Sequence, residues 1–429
     1  MKRKQMSLGI LCLMLICAMA VNMSGCATEV DMSGYETGIN AVNMIEDITP
    51  RAVESKKITS ENSVVTDFAI RLFDASDDGE NNTLISPLSV LTALAMSTNG
   101  AQGTTRQQME EALGMSAEEL NVFLFSYMKV LGESKGGELS IANSLWFKND
   151  ERFQIKQSFL QTIADYYGAD VYKITFDDKA CNEMNKWVSA KTDGMIEKIL
   201  DKIAENAVVY LVNALTFEAE WSAPYYKSDI IEGEFTKEDG TTQIASYMTN
   251  SESVYLQDEK ASGFMKYYKG GDYAFVAMLP NERVSVSEYI DYLSESGAGL
   301  ISALLGNSQK INVRASLPKF ETGYDAEMSG ILQGMGMELA FNAENADFGE
   351  LGRIDNANIY ISRVLHKTYI SVGQTGTKAG ASTVIEHVWL SDDPPDTKSI
   401  VLNRPFVYMI IDCNNNIPLF IGTMMDIEG

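Results

Sequence analysis

The chain has 429 residues, 45% of them hydrophobic and 22% charged, which is enough apolar side chain for a substantial core. Its formal charge of −25 argues against unspecific affinity for nucleic acid or for anionic lipid headgroups. With five cysteines, two histidines and no CxxC, HExxH or EF-hand spacing, the sequence carries no recognisable metal site and implies no cofactor.

At the N-terminus, Met1-Lys2-Arg3-Lys4 precedes an apolar run over 6–21, and Met23-Ser24-Gly25 leads into Cys26. A basic start, a short apolar core and small residues before a cleavage point make a secretory signal. The run is short for a membrane-spanning helix. Cysteine directly after Ser24-Gly25 is similar to the bacterial lipobox, in which the thiol is acylated and becomes the first residue. That resemblance implies an extracellular protein, lipid-anchored through Cys26 at the cell surface; the alternative is an ordinary signal peptide. Removal of Lys2, Arg3 and Lys4 would take the charge from −25 to −28. The expected organisation is a signal peptide over 1–25, a flexible tether over 26–58 and one domain over 59–429. The tether is inferred from polar, aperiodic composition. Cys12 and Cys17 would leave with the signal. Cys181 and Cys413 are isolated, and read as buried thiols rather than a disulfide framework.

From Glu61 the chain becomes periodic. Val64, Val65, Phe68, Leu72 and Phe73 share one face of a first helix. Ser86-Pro87 opens a second, with serine as N-cap and proline in the first turn, and Gly100 to Gly103 breaks it. Helices are expected over 104–113, ended by Gly114, and over 118–131. Residues 139–147 read as a strand, 155–167 as a helix stopped by Gly168, and 180–192 as an amphipathic helix. The balance then shifts. Residues 207–217 are apolar but for Asn213 and Thr216, as in a strand buried on both faces. Phe235, Tyr247, Val254 and the runs 265–268 and 273–279 suggest antiparallel strands. Helices return over 286–293, 299–304 and 325–335. Helices first and strands later, without βαβ alternation, imply an α+β domain.

The segment 364–410 carries the most functional information. Leu365, Tyr369 and Val372 belong to one β-rich run, and Val401-Leu402 and 406–411 to two more. Between them lies a long stretch that begins Thr375-Gly376-Thr377-Lys378-Ala379-Gly380-Ala381-Ser382-Thr383. A loop of this length inside a compact domain is usually functional or disordered, and its first half lacks the proline and charge runs of disorder. Small residues alternate at Thr377, Ala379, Ala381 and Thr383, which suits the inner face of a strand squeezed between two others. A loop able to become a central strand stores a conformational change. Catalysis is poorly supported. A serine triad would have to use His366 or His387, and there is no G-x-S-x-G and no phosphate-binding G-x-x-x-x-G-K-[ST].

Several motifs in order give the chain a resemblance to the serpins, from about residue 60 to the end. They are Asn82-Thr83-Leu84-Ile85-Ser86-Pro87-Leu88-Ser89, Leu211-Val212-Asn213-Ala214-Leu215-Thr216-Phe217 with Trp221, Leu317-Pro318-Lys319-Phe320, Ala346-Asp347-Phe348, Leu365-His366-Lys367-Thr368, and Gly376-Thr377 followed by small residues before Asn403-Arg404-Pro405-Phe406.

The resemblance implies a single domain of about nine helices and three sheets with an exposed reactive loop. It implies a monomeric inhibitor, not an enzyme, that forms a covalent complex with a target serine protease and traps it by inserting the loop. The hinge would be Gly376, Thr377, Ala379, Gly380, Ala381, Ser382 and Thr383. Counting fourteen residues from Gly376 puts the reactive bond at Leu390-Ser391, suited to chymotrypsin-, elastase- or subtilisin-like proteases; cleavage after Trp389 or Val388 is the alternative. Ser86, Ser89, Asn213 and His366 would form a polar cluster under the main sheet, with Trp221 packed at its top. Gln374, Thr375 and Lys378 depart from the acidic residues usual there. These departures keep a second reading open, a non-inhibitory binding or carrier protein of the same fold.

Overall fold

A computed structural model describes residues 39–59, 61–204, 206–377 and 397–427. The expected signal peptide, Cys26, the hinge residues Ala379, Gly380, Ala381, Ser382 and Thr383, and the bond Leu390-Ser391 lie outside them.

Nine α-helices occur among the described residues: α1 (Glu61–Ser76), α2 (Pro87–Thr98), α3 (Gly103–Leu113), α4 (Ala117–Glu133), α5 (Gln157–Tyr166), α6 (Asp178–Lys191), α7 (Val286–Ser296), α8 (Ala298–Gly306) and α9 (Ser329–Gly334). Local chemistry sets their ends. The Ser86 hydroxyl accepts from the Ser89 amide at the start of α2. Gly114 closes α3 in the left-handed region at φ 79°. Ser116 with Glu119 and Ser285 with Glu288 form capping boxes at α4 and α7. Every residue of α2 is buried, as its apolar composition on all sides requires.

The main sheet has seven strands, in spatial order β1 (Val42–Asn43), β5 (Asp170–Ile174), β3 (Glu138–Lys148), β6 (Val209–Glu220), β16 (Gly376–Thr377), β15 (Ile361–Val372) and β13 (Phe320–Glu327). A second, six-stranded sheet runs β2 (Leu84–Ile85), β19 (Ile417–Met424), β18 (Phe406–Asp412), β11 (Tyr273–Pro280), β10 (Ala261–Tyr267), β9 (Val254–Gln257). A third has four strands, β17 (Lys398–Val401), β12 (Val313–Pro318), β8 (Thr242–Glu252) and β7 (Ile230–Thr236). A ribbon of β4 (Phe153–Ile155) and β14 (Gly352–Ile354) adds a fourth, two-stranded unit to the three sheets expected. The large core lies between α1, α2 and the first two sheets. A smaller one, around Trp146, Met184 and Trp187, lies between α6 and the main sheet's other face.

Two expectations need correction. The helix expected over 325–335 begins only at Ser329. Residues 325–327 pair instead with 365–367 of β15, and their alternating burial is that of a strand. The tether expected to reach residue 58 does not do so, because residues 39–58 dock on the domain. The Asn40 amide donates to Glu183 on α6 (2.8 Å), and β1 pairs antiparallel with β5. The Arg51 amide donates to Asp165 on α5 and its guanidinium pairs with that carboxylate, while the Lys56 amide reaches Ser126 on α4. Met44, Ile45, Ile48 and Ile58 supply the apolar contacts. Backbone groups that a free tether would leave to water are thus satisfied by the domain.

Candidate functional site: the hinge at the top of the main sheet

β6 and β15 run parallel, and their pairing extends from Val209 and Ile361 to Leu215 and Thr368. Above that point they take a third strand between them. Gly376 and Thr377 turn back from β15, so β16 is antiparallel to both neighbours: Thr377 lies opposite Val372 on one side and Ala219 on the other, and Gly376 opposite Glu220. The Gly373 amide donates to the Gly376 carbonyl at 2.9 Å and closes the turn. Only glycine fits at 376, because a Cβ there would lie 1.9 Å from the Ala219 carbonyl oxygen. Thr377 is fully buried, with its hydroxyl 2.6 Å from the Tyr268 hydroxyl.

Residues 221–225, just past β6, hold the turn by three consecutive carbonyls. The Trp221 indole N–H donates to Gly373 (2.8 Å), the Tyr225 amide to Gln374 (2.9 Å) and the Trp221 amide to Thr375 (2.8 Å). Trp221 is fully buried and stacks on Tyr268, with centroids 4.3 Å apart and planes at 16°. The indole expected simply to pack also bonds the loop's root.

Lower in the sheet, where β6 and β15 are paired, Asn213 and His366 are register partners. His366 is fully buried. Its Nε2 accepts from the Ser86 amide (3.1 Å), so Nδ1 carries the hydrogen and donates to Asn213 Oδ1 (2.5 Å). Ser89 Oγ donates to the same oxygen at 3.3 Å. Burial pushes the imidazole pKa down to about 3. A neutral ring accepting from a backbone amide is a structural link between the two central strands and α2. It is not poised to deprotonate a serine. The Thr368 hydroxyl adds another link, donating to the Leu84 carbonyl (2.6 Å).

The structure therefore brings Ser86, Ser89, Asn213 and His366 into one cluster, and Trp221, Gly376 and Thr377 into another above it. Sequence reasoning missed Tyr268, Tyr225 and the buried pair Lys266–Glu252, and gave Thr368 no role beyond its place in a motif. One signal was available. Phe264, Lys266 and Tyr268 share one strand parity, which sets a lysine among inward-facing aromatics. Cys181 is buried and Cys413 half-buried, and both are free thiols.

A family model described as "Serpin (serine protease inhibitor)" matches residues 63–427. The chain belongs to the serpin family, whose members are in general protease inhibitors that form complexes with their targets. Among relatives, Serpin-Z2B of Triticum aestivum is 30% identical over 385 residues, covering 84% of this chain and 95% of that protein. A serpin-like protein of Thermococcus kodakarensis is 27% identical over 375 residues, covering 85% of each. Among solved structures, the native state of the thermophilic serpin tengpin aligns with TM-score 0.86 at 44% identity, over 90% of this chain and 99% of that one. The latent state of tengpin aligns with TM-score 0.76 at 44% identity, over 87% of this chain and 100% of that one.

Proposed function

We propose that this chain inhibits a serine protease as a suicide substrate. The protease serine attacks the Leu390 carbonyl, the Leu390-Ser391 bond breaks with release of the Ser391 amine, and Leu390 stays esterified to the enzyme. The freed loop then enters the main sheet and carries the enzyme with it. Distortion of the oxyanion hole and triad stops water from completing hydrolysis, since both depend on close placement.

The observation that carries this reading is β16, the first two residues of a strand already seated between β6 and β15 in the antiparallel sense that insertion requires. Continuing both registers gives a consistent result. Thr383 arrives opposite Asn213 on one side and His366 on the other, so a small hydroxyl meets the polar cluster as the Asn213–His366 link parts. His387 then lies opposite Val209, the first residue of β6, and Leu390 passes the bottom of the sheet. Small residues at 379, 381 and 383 share the strand parity of the buried Thr377, which suits the inward side of such a strand.

Incubation with a chymotrypsin-like or subtilisin-like protease tests the proposal. A covalent complex that survives a denaturing gel is expected, with a released fragment whose mass begins at Ser391. Complete cleavage with free, active protease and no complex would favour the non-inhibitory binding reading.

The location proposed is the cell surface, with residues 1–25 removed and Cys26 acylated. The basic start, short apolar run and Ser24-Gly25-Cys26 support it. In a native bacterial host, Cys26→Ser should move the protein from the membrane fraction to the medium. Retention on the membrane would remove the lipid-anchor reading.

A further inference from the structure

A buried ion pair lies behind the segment that holds the loop's root. Lys266 on β10 is 1% exposed, and its ammonium donates to Glu252 Oε1 at 2.6 Å, with the Glu252 side chain 9% exposed. A second N–H donates to the Ala223 carbonyl at 2.9 Å. The ammonium also sits 4.2 Å from the ring centre of Tyr225 and 5.4 Å from that of Trp221. Ala223 lies midway between the two residues whose amides hold Thr375 and Gln374. Burial pulls the lysine pKa down and the glutamate pKa up, opposed by their mutual attraction.

Such a pair is a poor source of stability, because desolvation of both charges offsets most of their attraction, and an apolar pair often serves as well. It does supply direction. An ammonium fixed by a carboxylate, a carbonyl and two ring faces admits one arrangement of residues 221–225, whereas an apolar side chain of equal volume leaves the Ala223 carbonyl without a donor. Those residues in turn hold three carbonyls of the turn from which the inserted strand must grow.

We infer that Lys266, anchored by Glu252, is a positioning residue for loop insertion: it fixes residues 221–225 so that residues 373–377 stay folded as the start of the new strand. The inference rests on the inhibitory reading for its consequence in trapping, but not for its structural part. In the race between insertion and hydrolysis of the acyl-enzyme, a preformed turn shortens insertion. Attack on Leu390 itself lies upstream of the effect.

The test is the double substitution Lys266→Met with Glu252→Gln in the full chain, which leaves no lone buried charge. Hydrogen exchange at the Trp221 and Tyr225 amides should quicken by roughly tenfold, the worth of one charge-assisted hydrogen bond, while exchange around Asn213 and in α2 stays as in wild type. With protease, the inhibitor consumed per enzyme trapped should rise about threefold or more, with the association rate constant within about twofold of wild type. If the double variant does not accumulate folded, Lys266→Gln with Glu252→Gln is measured in the same way; it also leaves no lone buried charge and keeps a neutral N–H donor for the Ala223 carbonyl, so smaller changes in the same direction are expected. Unchanged exchange at Trp221 and Tyr225, or a loss spread evenly over the domain, overturns the positioning role. Wild-type protein that traps no protease would instead refute the inhibitory reading, and the exchange result would still decide the structural claim.

Discussion

Thr377→Arg bears on the first step of insertion. Thr377 is fully buried between β6 and β15, hydrogen-bonded to Tyr268, and Tyr268 is stacked on Trp221. The buried carboxylate of this region, Glu252, is already matched by Lys266. A guanidinium at 377 is therefore a buried charge without a counter-ion, at a cost of about 3–5 kcal/mol. Each hydrogen bond seating the threonine contributes only about 1 kcal/mol, so the hinge should leave the sheet. If the lower cost of about 3 kcal/mol is felt in the barrier to insertion, that step slows by more than 100-fold, and hydrolysis of the acyl-enzyme overtakes it. The variant should be cleaved as a substrate with little covalent complex, measured by titrating protease activity and by denaturing gel. Thr377→Ser, which keeps the hydroxyl, should behave as wild type. Covalent complex from Thr377→Arg at wild-type stoichiometry would refute the insertion mechanism for this chain.

Other outcomes follow from the same geometry. His366 is held neutral to about pH 3, whereas an unfolded histidine titrates near 6.5. Its contribution is complete above pH 6.5. It falls by about 1.4 kcal/mol per pH unit as the unfolded chain takes up the proton that the folded one refuses. Comparing urea midpoints of wild type and His366→Gln from pH 7 to 5 should show the wild type losing about 2 kcal/mol more than the variant; parallel curves would contradict the neutral cluster. Leu390→Arg should create inhibition of trypsin-like proteases, whose pocket carries an acid, and weaken that of chymotrypsin-like ones; unchanged preference would move the reactive bond. Given the charge of −25, added salt should slow association with a cationic protease more than with a neutral one, read from association rates.

Features set by near neighbours in the chain were readable before the fold was known. Ser86-Pro87 caps α2, Gly114 ends α3, and the run from Val209 to Phe217, apolar but for Asn213 and Thr216, is a strand buried on both faces because each needs only local chemistry. The polar cluster needed the family resemblance, since Ser86, Asn213 and His366 meet only across the sheet. Residues 39–58 looked like a tether because Met44, Ile45 and Ile48 have no common period, and their partners on β5 and α5 lie more than a hundred residues away. Asp325 and Glu327 follow an alternating pattern that a helix reading obscured, and pairing with β15 decides in favour of the strand. Lys266 was visible as a charge at an inward position. Its partner Glu252, on a strand of another sheet, was not.

Loop insertion requires that residues 378–387 become the strand between β6 and β15 once the loop is cut. Hydrogen exchange on the nicked protein, compared with the intact chain, measures this directly. The expected result is protection across 378–387 approaching that of β6, with a sharply higher thermal midpoint from the added hydrogen-bonded strand. Rapid exchange through 378–387 after cleavage, with the midpoint unchanged, would contradict it.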